Sequence, residues 1–357
     1  MSAPPLTAEN PTGLLGIDFV EFASPRPDEL HALFVAFGFS RVARHERLAI
    51  DLYEQNDIHF LLNRAPGTFG DDFARRHGPS ICSMAWRAKS ASAAREVAVS
   101  RGARPATGDL GGSRGPLPAI YGIGDSLLYF VDGHEDPKRF ERMGFVPLAA
   151  PERVPDKGFV AIDHLTNNVE KGTMGRWADF YKSIFGFTEV RYFDIRGAKT
   201  GLTSYALRSP CGTFCIPINE ATDQKSQINE FLEEYKGPGV QHLAFLTRDI
   251  LASLRALEGT PIHFLDMDEE YYASVFQRVP GVTEDRAEIQ ARHVLVDGDE
   301  EGYLLQIFTK PVVGPIFIEI IQRKNHHAFG EGNFGALFRS IERDQARRGY
   351  LDDKPAG

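Results

Sequence analysis

Two stretches of the chain repeat one pattern of apolar and polar positions. LLGIDFVEFAS (14–24) and FVAIDHLTNNV (159–169) are apolar segments of strand length that carry Ile-Asp at the same place, Ile17-Asp18 and Ile162-Asp163. Each leads into apolar residues at helical spacing, DELHALFVAFGFSRV (28–42) and RWADFYKSIFGFTEV (176–190), where the pattern predicts a helix that stops at Gly38 or Gly186 before a strand. Further on, GPSICSMAW (78–86) lines up with GPGVQHLAF (237–245), and SLLYFVD (126–132) with YLLQIFT (303–309), the last pair being apolar strands after acidic, glycine-containing turns. Matches in the same order imply an internal duplication. Each half reads as strand, helix and several strands, twice over, which predicts an α+β fold rather than a regular βαβ alternation. The Pro-rich, charged PLAAPERVPDKG (147–158) reads as an interdomain linker, dividing the chain into domains 1–152 and 153–357.

The informative positions are those where the halves disagree. Asp163 recurs as Asp18, and strand alternation would turn it away from the face of residue 164, so it is assigned to the scaffold. His164, in contrast, is replaced by Phe19, and His242 by Ser83. A third ligand is sought in GPIFIEIIQR, where alternation puts Phe317, Glu319 and Ile321 on one face. A carboxylate in so apolar a strand is costly unless paired or metal-bound, although an edge strand facing water would also accommodate it. Two imidazoles and a carboxylate form the donor set of non-haem Fe(II) oxygenases, and zinc accepts the same donors. His263 in PIHFL and His293 in ARHVLV, read as strand residues, are rival ligands, while His326-His327 reads as a solvated loop pair. In FGEGNFGALFRSIERDQ, Gly330 and Gly332 suggest a flexible entry and Asn333 a helix cap. Phe334, Leu337, Phe338 and Ile341 then form one apolar helix face, which would either pack on the core or cover a site.

Composition narrows the class of partner. At 357 residues the chain suits two domains of about 150 residues. It is 42% hydrophobic and 25% charged, with 26 phenylalanines, a soluble globular composition. A net charge of −9 without a basic run disfavours nucleic acid or an anionic membrane surface and leaves a small molecule as the expected ligand. The first 13 residues lack a signal-peptide pattern and read as a disordered lead-in. No window reaches the roughly 18 uncharged apolar residues of a membrane span, so a cytoplasmic location is expected. Cys82, Cys211 and Cys215 give no disulfide framework, and all three are expected to be reduced.

At these residues the chain resembles the 4-hydroxyphenylpyruvate dioxygenase family of the vicinal-oxygen-chelate superfamily. The resemblance spans essentially the whole chain, is strongest over 159–345, and is carried by AIDHLTNNV, KSQINEFLEEYKGPGVQHLAF, GYLLQIFTKP, IFIEIIQR and FGEGNFGALFRSIE. It implies two tandem domains, each of paired βαβββ modules forming a half-open barrel, the first a metal-free structural domain. The second would be catalytic and closed by a C-terminal helix. His164, His242 and Glu319 would hold one Fe(II) per subunit. Ser204, Asn219, Gln227, Gln241 and Gln306 would surround the substrate, Phe334 and Phe338 would sandwich its ring, and Phe308, Phe317 and Phe329 would lie nearby. Amides suit this task because they donate and accept hydrogen bonds without adding charge. The implied reaction, in tyrosine and phenylalanine catabolism, converts 4-hydroxyphenylpyruvate and O2 to homogentisate and CO2 by oxidative decarboxylation, ring hydroxylation and side-chain migration. The substrate itself supplies the keto acid, and no separate acid or base is assigned. The family also implies a homodimer or homotetramer. The alternatives are 4-hydroxymandelate synthase, acting on the same substrate, and a non-catalytic ligand-binding protein of the same fold.

Overall fold

The computed structural model describes residues 7–112, 115–196 and 200–351. The first half contributes β1 (Leu14–Ala23), β2 (Ser40–His45), β3 (Ile50–Gln55), β4 (Ile58–Asn63), β5 (Ser80–Ala88), β6 (Pro105–Gly112), β7 (Gly115–Tyr121), β8 (Leu127–Val131) and β9 (Phe145–Glu152). They form one sheet in the order β6-β7-β8-β5-β1-β4-β3-β2-β9. The second half contributes β10 (Phe159–Val169), β11 (Thr188–Arg196), β12 (Gly201–Arg208), β13 (Cys215–Ala221), β14 (Gly239–Thr247), β15 (Leu295–Gly298), β16 (Tyr303–Phe308) and β17 (Phe317–Lys324). Their order is β11-β12-β13-β10-β14-β17-β16-β15. Each sheet is built from two strand-helix-three-strand units, with β9 added at the edge of the first, and curls into a half-open barrel, giving an α+β fold of two tandem domains with a C-terminal helix, Phe334–Arg347. No helix among the described residues is long and apolar enough to cross a membrane.

The centres of the two sheets match strand for strand. β1 and β5 pair antiparallel, as do β10 and β14, and each inner strand has a parallel neighbour on its other side: β4 and β8 in the first sheet, β13 and β17 in the second. This corrects the weakest of the sequence matches. The partner of β8 by topology is β17, not β16, because both are the last strand of their unit. The apolar run YLLQIFT had matched through composition alone. The linker reading also needs correction: residues 147–152 belong to β9, which pairs with β2 and completes the first sheet. Nor is the whole N-terminal segment a loose lead-in. Residues 1–6 lie outside the described residues, but Asn10 and Thr12 are buried, and the Asn10 side chain accepts from the Leu14 N–H and donates to the Leu14 carbonyl, both at 2.9 Å.

Several of the phenylalanines pack between the halves. Phe245 of β14 stacks on Phe159 at 4.7 Å between ring centroids and meets Phe37, Phe39 and Phe60 of the first half within 6.0 Å. Trp86 of β5 sits among Phe185, Phe187 and Phe214 of the second. Each buried ring contributes about 1.5–3 kcal/mol by removal from water, so the two sheets share one core. The two repeated glycines each admit the close approach of another chain segment. Gly38 and Gly186 both have left-handed φ, +85° and +81°; a Cβ on Gly38 would crowd Pro155 and Lys157, and one on Gly186 would collide with the Glu9 carbonyl.

This packing predicts that Gly186→Ala lowers stability by about 1–3 kcal/mol in urea unfolding. Gly175→Ala, on an open helix face where nothing approaches, should be neutral or stabilising by about 0.5–1 kcal/mol. Equal stability of the two variants would contradict the account.

Candidate metal centre

β10, β14 and β17 lie side by side, in the order β10-β14-β17, and carry His164, His242 and Glu319, one residue each. The register opposes Thr166 to His242 and Ala244 to Glu319, which brings the three side chains to the same inward face. The Nε2 atoms of His164 and His242 are 3.2 Å apart, and Glu319 Oε2 is 3.1 Å from the first and 3.4 Å from the second. All three residues are less than a tenth exposed. Facial ligands about 2.1 Å from a metal stand about 3.0 Å apart, and tetrahedral ones about 3.4 Å. The triangle therefore fits a divalent metal, and no other such cluster occurs among the described residues.

The orientation of the rings is held from behind. Asp163 Oδ2 accepts from His164 Nδ1 at 2.8 Å, and Gln241 Oε1 accepts from His242 Nδ1 at 3.0 Å. Each ring thus presents Nε2 to the centre, as ligand imidazoles require. The bond from Asp163 overturns its assignment to scaffold alone. A β-bulge between Ile162 and His164 breaks the alternation, so consecutive side chains reach one another. The bulge has no sequence signal in this segment.

Electrostatics agree with a cation at this point. Burial would lower the pKa of His164, but the Glu319 charge and the Asp163 hydrogen bond push it up to about 9. Burial would likewise raise that of Glu319, yet His164 holds it down to about 2. Burial lowers that of His242, which stays neutral. Without metal, the site is a cationic imidazole between two carboxylates, and a divalent ion would displace its proton.

The triad opens into a cavity of about 680 Å³, including its mouth, between the curled sheet and the C-terminal helix. Ser204, Asn219, Gln227, Gln241, Gln306, Phe308, Phe317, Phe329, Phe334 and Phe338 all line it. Thr166, Leu202, Ala206 and Pro217, none of them among the residues expected from the sequence, also line it. Each lies two residues from a selected neighbour on the same strand face, a signal that alternation does contain. Phe193, 5.3 Å from Phe334 between ring centroids, had no such signal.

Other expectations change. Asn333 does not cap the C-terminal helix with its side chain; its Oδ1 accepts from the Tyr271 hydroxyl at 2.6 Å. Gly330 and Gly332 serve close packing rather than flexibility, since a Cβ would meet the Gln306 amide at the first and Arg278 and Asp297 at the second. His263 is exposed in a loop, and His293 sits in a turn with its Nδ1 accepting from the Met267 N–H, so neither rival is in a strand. His326 is buried, with Nδ1 3.4 Å from Asp299, while His327 is exposed. The three cysteines are free.

In the first sheet the positions of the triad are filled. Phe19 replaces His164, Ser83 replaces His242, and the register of β5 with β8 puts Tyr129 where β17 has Glu319. The Phe19 and Tyr129 rings pack 6.1 Å apart, and Ser83 donates to buried Glu21 at 2.6 Å. Burial raises the pKa of Glu21.

Paired half-barrels with a buried His-His-Glu cluster suited to a metal in the second define a protein of the vicinal-oxygen-chelate class. Comparison with known proteins narrows this: residues 8–150 match the family model described as hydroxyphenylpyruvate dioxygenase, N-terminal, and residues 161–277 match that of the glyoxalase/bleomycin resistance protein/dioxygenase superfamily. The chain is 59% identical to Protein MelA of Shewanella colwelliana, covering 96% of this chain and 99% of the relative. It is 45% identical to 4-hydroxyphenylpyruvate dioxygenase of Legionella pneumophila (96% and 98% covered) and 44% identical to that of Pseudomonas aeruginosa (96% and 97%). Among solved structures, a mutant of 4-hydroxymandelate synthase from Streptomyces coelicolor superimposes with a TM-score of 0.81 at 26% identity, covering 93% of this chain and 99% of that one. The chain belongs to the 4-hydroxyphenylpyruvate dioxygenase family.

The geometry predicts that metal-free protein takes up one divalent ion per chain, and that His164→Ala and Glu319→Gln strongly weaken this uptake. Because the ion displaces the His164 proton, affinity should rise about tenfold per pH unit below pH 9. Calorimetric titration at several pH values would check this, and a pH-independent affinity would contradict it.

Proposed function

We propose that this chain is an Fe(II)-dependent dioxygenase that converts 4-hydroxyphenylpyruvate and O2 to homogentisate and CO2. The observation that carries the reading is the triad itself: two Nε2 atoms and one carboxylate oxygen face a cavity walled by phenylalanines and neutral amides. The family supplies the substrate and the reaction class. Bound iron would supply O2 activation and a chelating site for the 2-oxo acid of the substrate. Residues 1–152 would serve as the metal-free scaffold and 153–357 as the catalytic domain.

The rest is the work of the polypeptide. Two neutral imidazoles and one carboxylate would leave a divalent ion with a positive charge that favours an anionic 2-oxo acid. Asn219 donates to Asn168 Oδ1 at 3.3 Å and to Gln241 Oε1 at 3.4 Å, so the amide network connects the cavity wall to the ring of His242. Gln306 Oε1 is buried and has no hydrogen-bond partner among the described residues, which leaves it ready to accept from a hydroxyl of the substrate. Phe334 and Phe338 on the C-terminal helix would hold the aromatic ring and keep water from the centre. Migration of the side chain on the ring demands that the ring stay fixed while the side chain moves, a requirement that rigid aromatic walls meet.

The test is the product of the Fe(II)-loaded enzyme, identified by mass spectrometry and NMR. Homogentisate, with O2 consumed and CO2 released in equal amounts, is expected. Hydroxymandelate would transfer the chain to the synthase reading, and ligand binding without O2 uptake to the binding-protein reading. Phe338→Ala is expected to lower kcat/KM by up to about 100-fold through misplacement of the ring, and unchanged kinetics would reject the role given to that side chain.

A further inference from the structure

Asp163 does more than touch His164. Its Oδ1 accepts from Arg323 Nε at 2.7 Å, and its Oδ2 accepts from Arg323 Nη2 at 2.8 Å as well as from His164. Arg323 lies on β17 four residues beyond Glu319, and its remaining nitrogen, Nη1, donates to the carbonyls of His326 at 3.1 Å and Ala328 at 2.6 Å. Those carbonyls belong to the loop that delivers Phe329 to the cavity. The guanidinium carbon is 5.8 Å from the centre of the Phe329 ring, which in turn meets the His164 ring edge-on at 5.6 Å. One largely buried ion pair therefore touches His164 on one side and the backbone of a cavity wall on the other.

The first sheet offers an internal control. Asp18 sits at the same kind of bulge, between Ile17 and Phe19, and its Oδ1 accepts from Arg87 Nε at 3.1 Å and Arg139 Nε at 3.0 Å. The next residue there is Phe19, which has no N–H in its ring, and Asp18 Oδ2 has no hydrogen-bond partner among the described residues. In the first sheet the aspartate still meets arginine, but through Arg87 of β5 and Arg139 of the 139–142 helix rather than through the last strand, and its second oxygen is idle. An arginine beside the bulge aspartate is thus common to both sheets, while the bidentate pair with Arg323 and the bond to the imidazole belong to the half that carries the His-His-Glu cluster.

We propose that Asp163 and Arg323 are positioning residues, a bidentate ion pair that aims His164 at the metal and pins the loop carrying Phe329, so that ligand geometry and cavity wall are set together. Arginine suits this task because its planar fork engages both carboxylate oxygens and still has donors for two carbonyls, which a lysine does not. The inference rests on the reading of His164, His242 and Glu319 as a metal centre.

The experiment measures Fe(II) affinity of the full chain by anaerobic competition with a chelator, stability by urea unfolding, and amide exchange at residues 326–329. Asp163→Asn is expected to weaken Fe(II) binding about 10–100-fold, and Arg323→Lys to weaken it in the same direction while speeding exchange in the loop. Should Asp163→Asn fail to fold, Arg323→Lys, which keeps the buried charge, still decides the matter. Asp18→Asn should lower the urea midpoint and leave Fe(II) affinity unchanged. Folded Asp163→Asn and Arg323→Lys proteins with wild-type Fe(II) affinity, losing only stability as Asp18→Asn does, would overturn the proposal. Absence of Fe(II) binding in the wild-type chain would instead overturn the metal centre itself, and the inference with it.

Discussion

Two imidazoles and a carboxylate are held within 3.4 Å of one another inside a sheet whose neighbouring strands are dominated by buried apolar residues. Bare burial of such groups is unfavourable, and each is tolerated because it has a partner: Asp163 for His164, Gln241 for His242, and the imidazoles for Glu319. Much of the architecture follows from bringing these groups together. Three strands must lie adjacent, in a register that turns residues 164, 242 and 319 to one face. The helix Phe334–Arg347 then closes the open side of the curl with Phe334, Leu337, Phe338 and Ile341.

The duplication explains how such a site arises without disturbing the fold. Both sheets share a central antiparallel pair with parallel neighbours, and both keep an Asp-Arg contact at a bulge. The first sheet fills its equivalent positions with Phe19, Ser83 and Tyr129. Phe19 and Tyr129 occupy the space, and the buried Glu21 takes its hydrogen bonds from Ser83 and Asn63. The two sheets are joined through a common aromatic core around Phe245 and Trp86, so the first sheet buttresses the one that carries the cluster.

Much of this was legible in the sequence because a duplicated chain carries its own comparison. His164 against Phe19 and His242 against Ser83 marked two members of the cluster, and alternation around Glu319 marked the third. What stayed hidden depended on departures from regular geometry. The bulge at Asp163 defeats the alternation that placed it on the opposite face, so its bond to His164 could not be foreseen. The match of β8 with β16 followed apolar composition, whereas strand pairing, which composition does not encode, links β8 to the position of β17. The strand reading of His263 and His293 failed for the same reason, since short apolar runs occur in packed loops as well as in sheets.

The central claim is that iron in this chain is held by two imidazoles and one carboxylate from three adjacent strands. X-ray absorption at the iron edge, on anaerobically loaded wild type and His242→Ala, tests it most directly. The account predicts scattering from two imidazoles in the wild type and from one in the variant, with no sulfur ligand. Two imidazoles persisting in His242→Ala, or a thiolate at the iron in either protein, would contradict it.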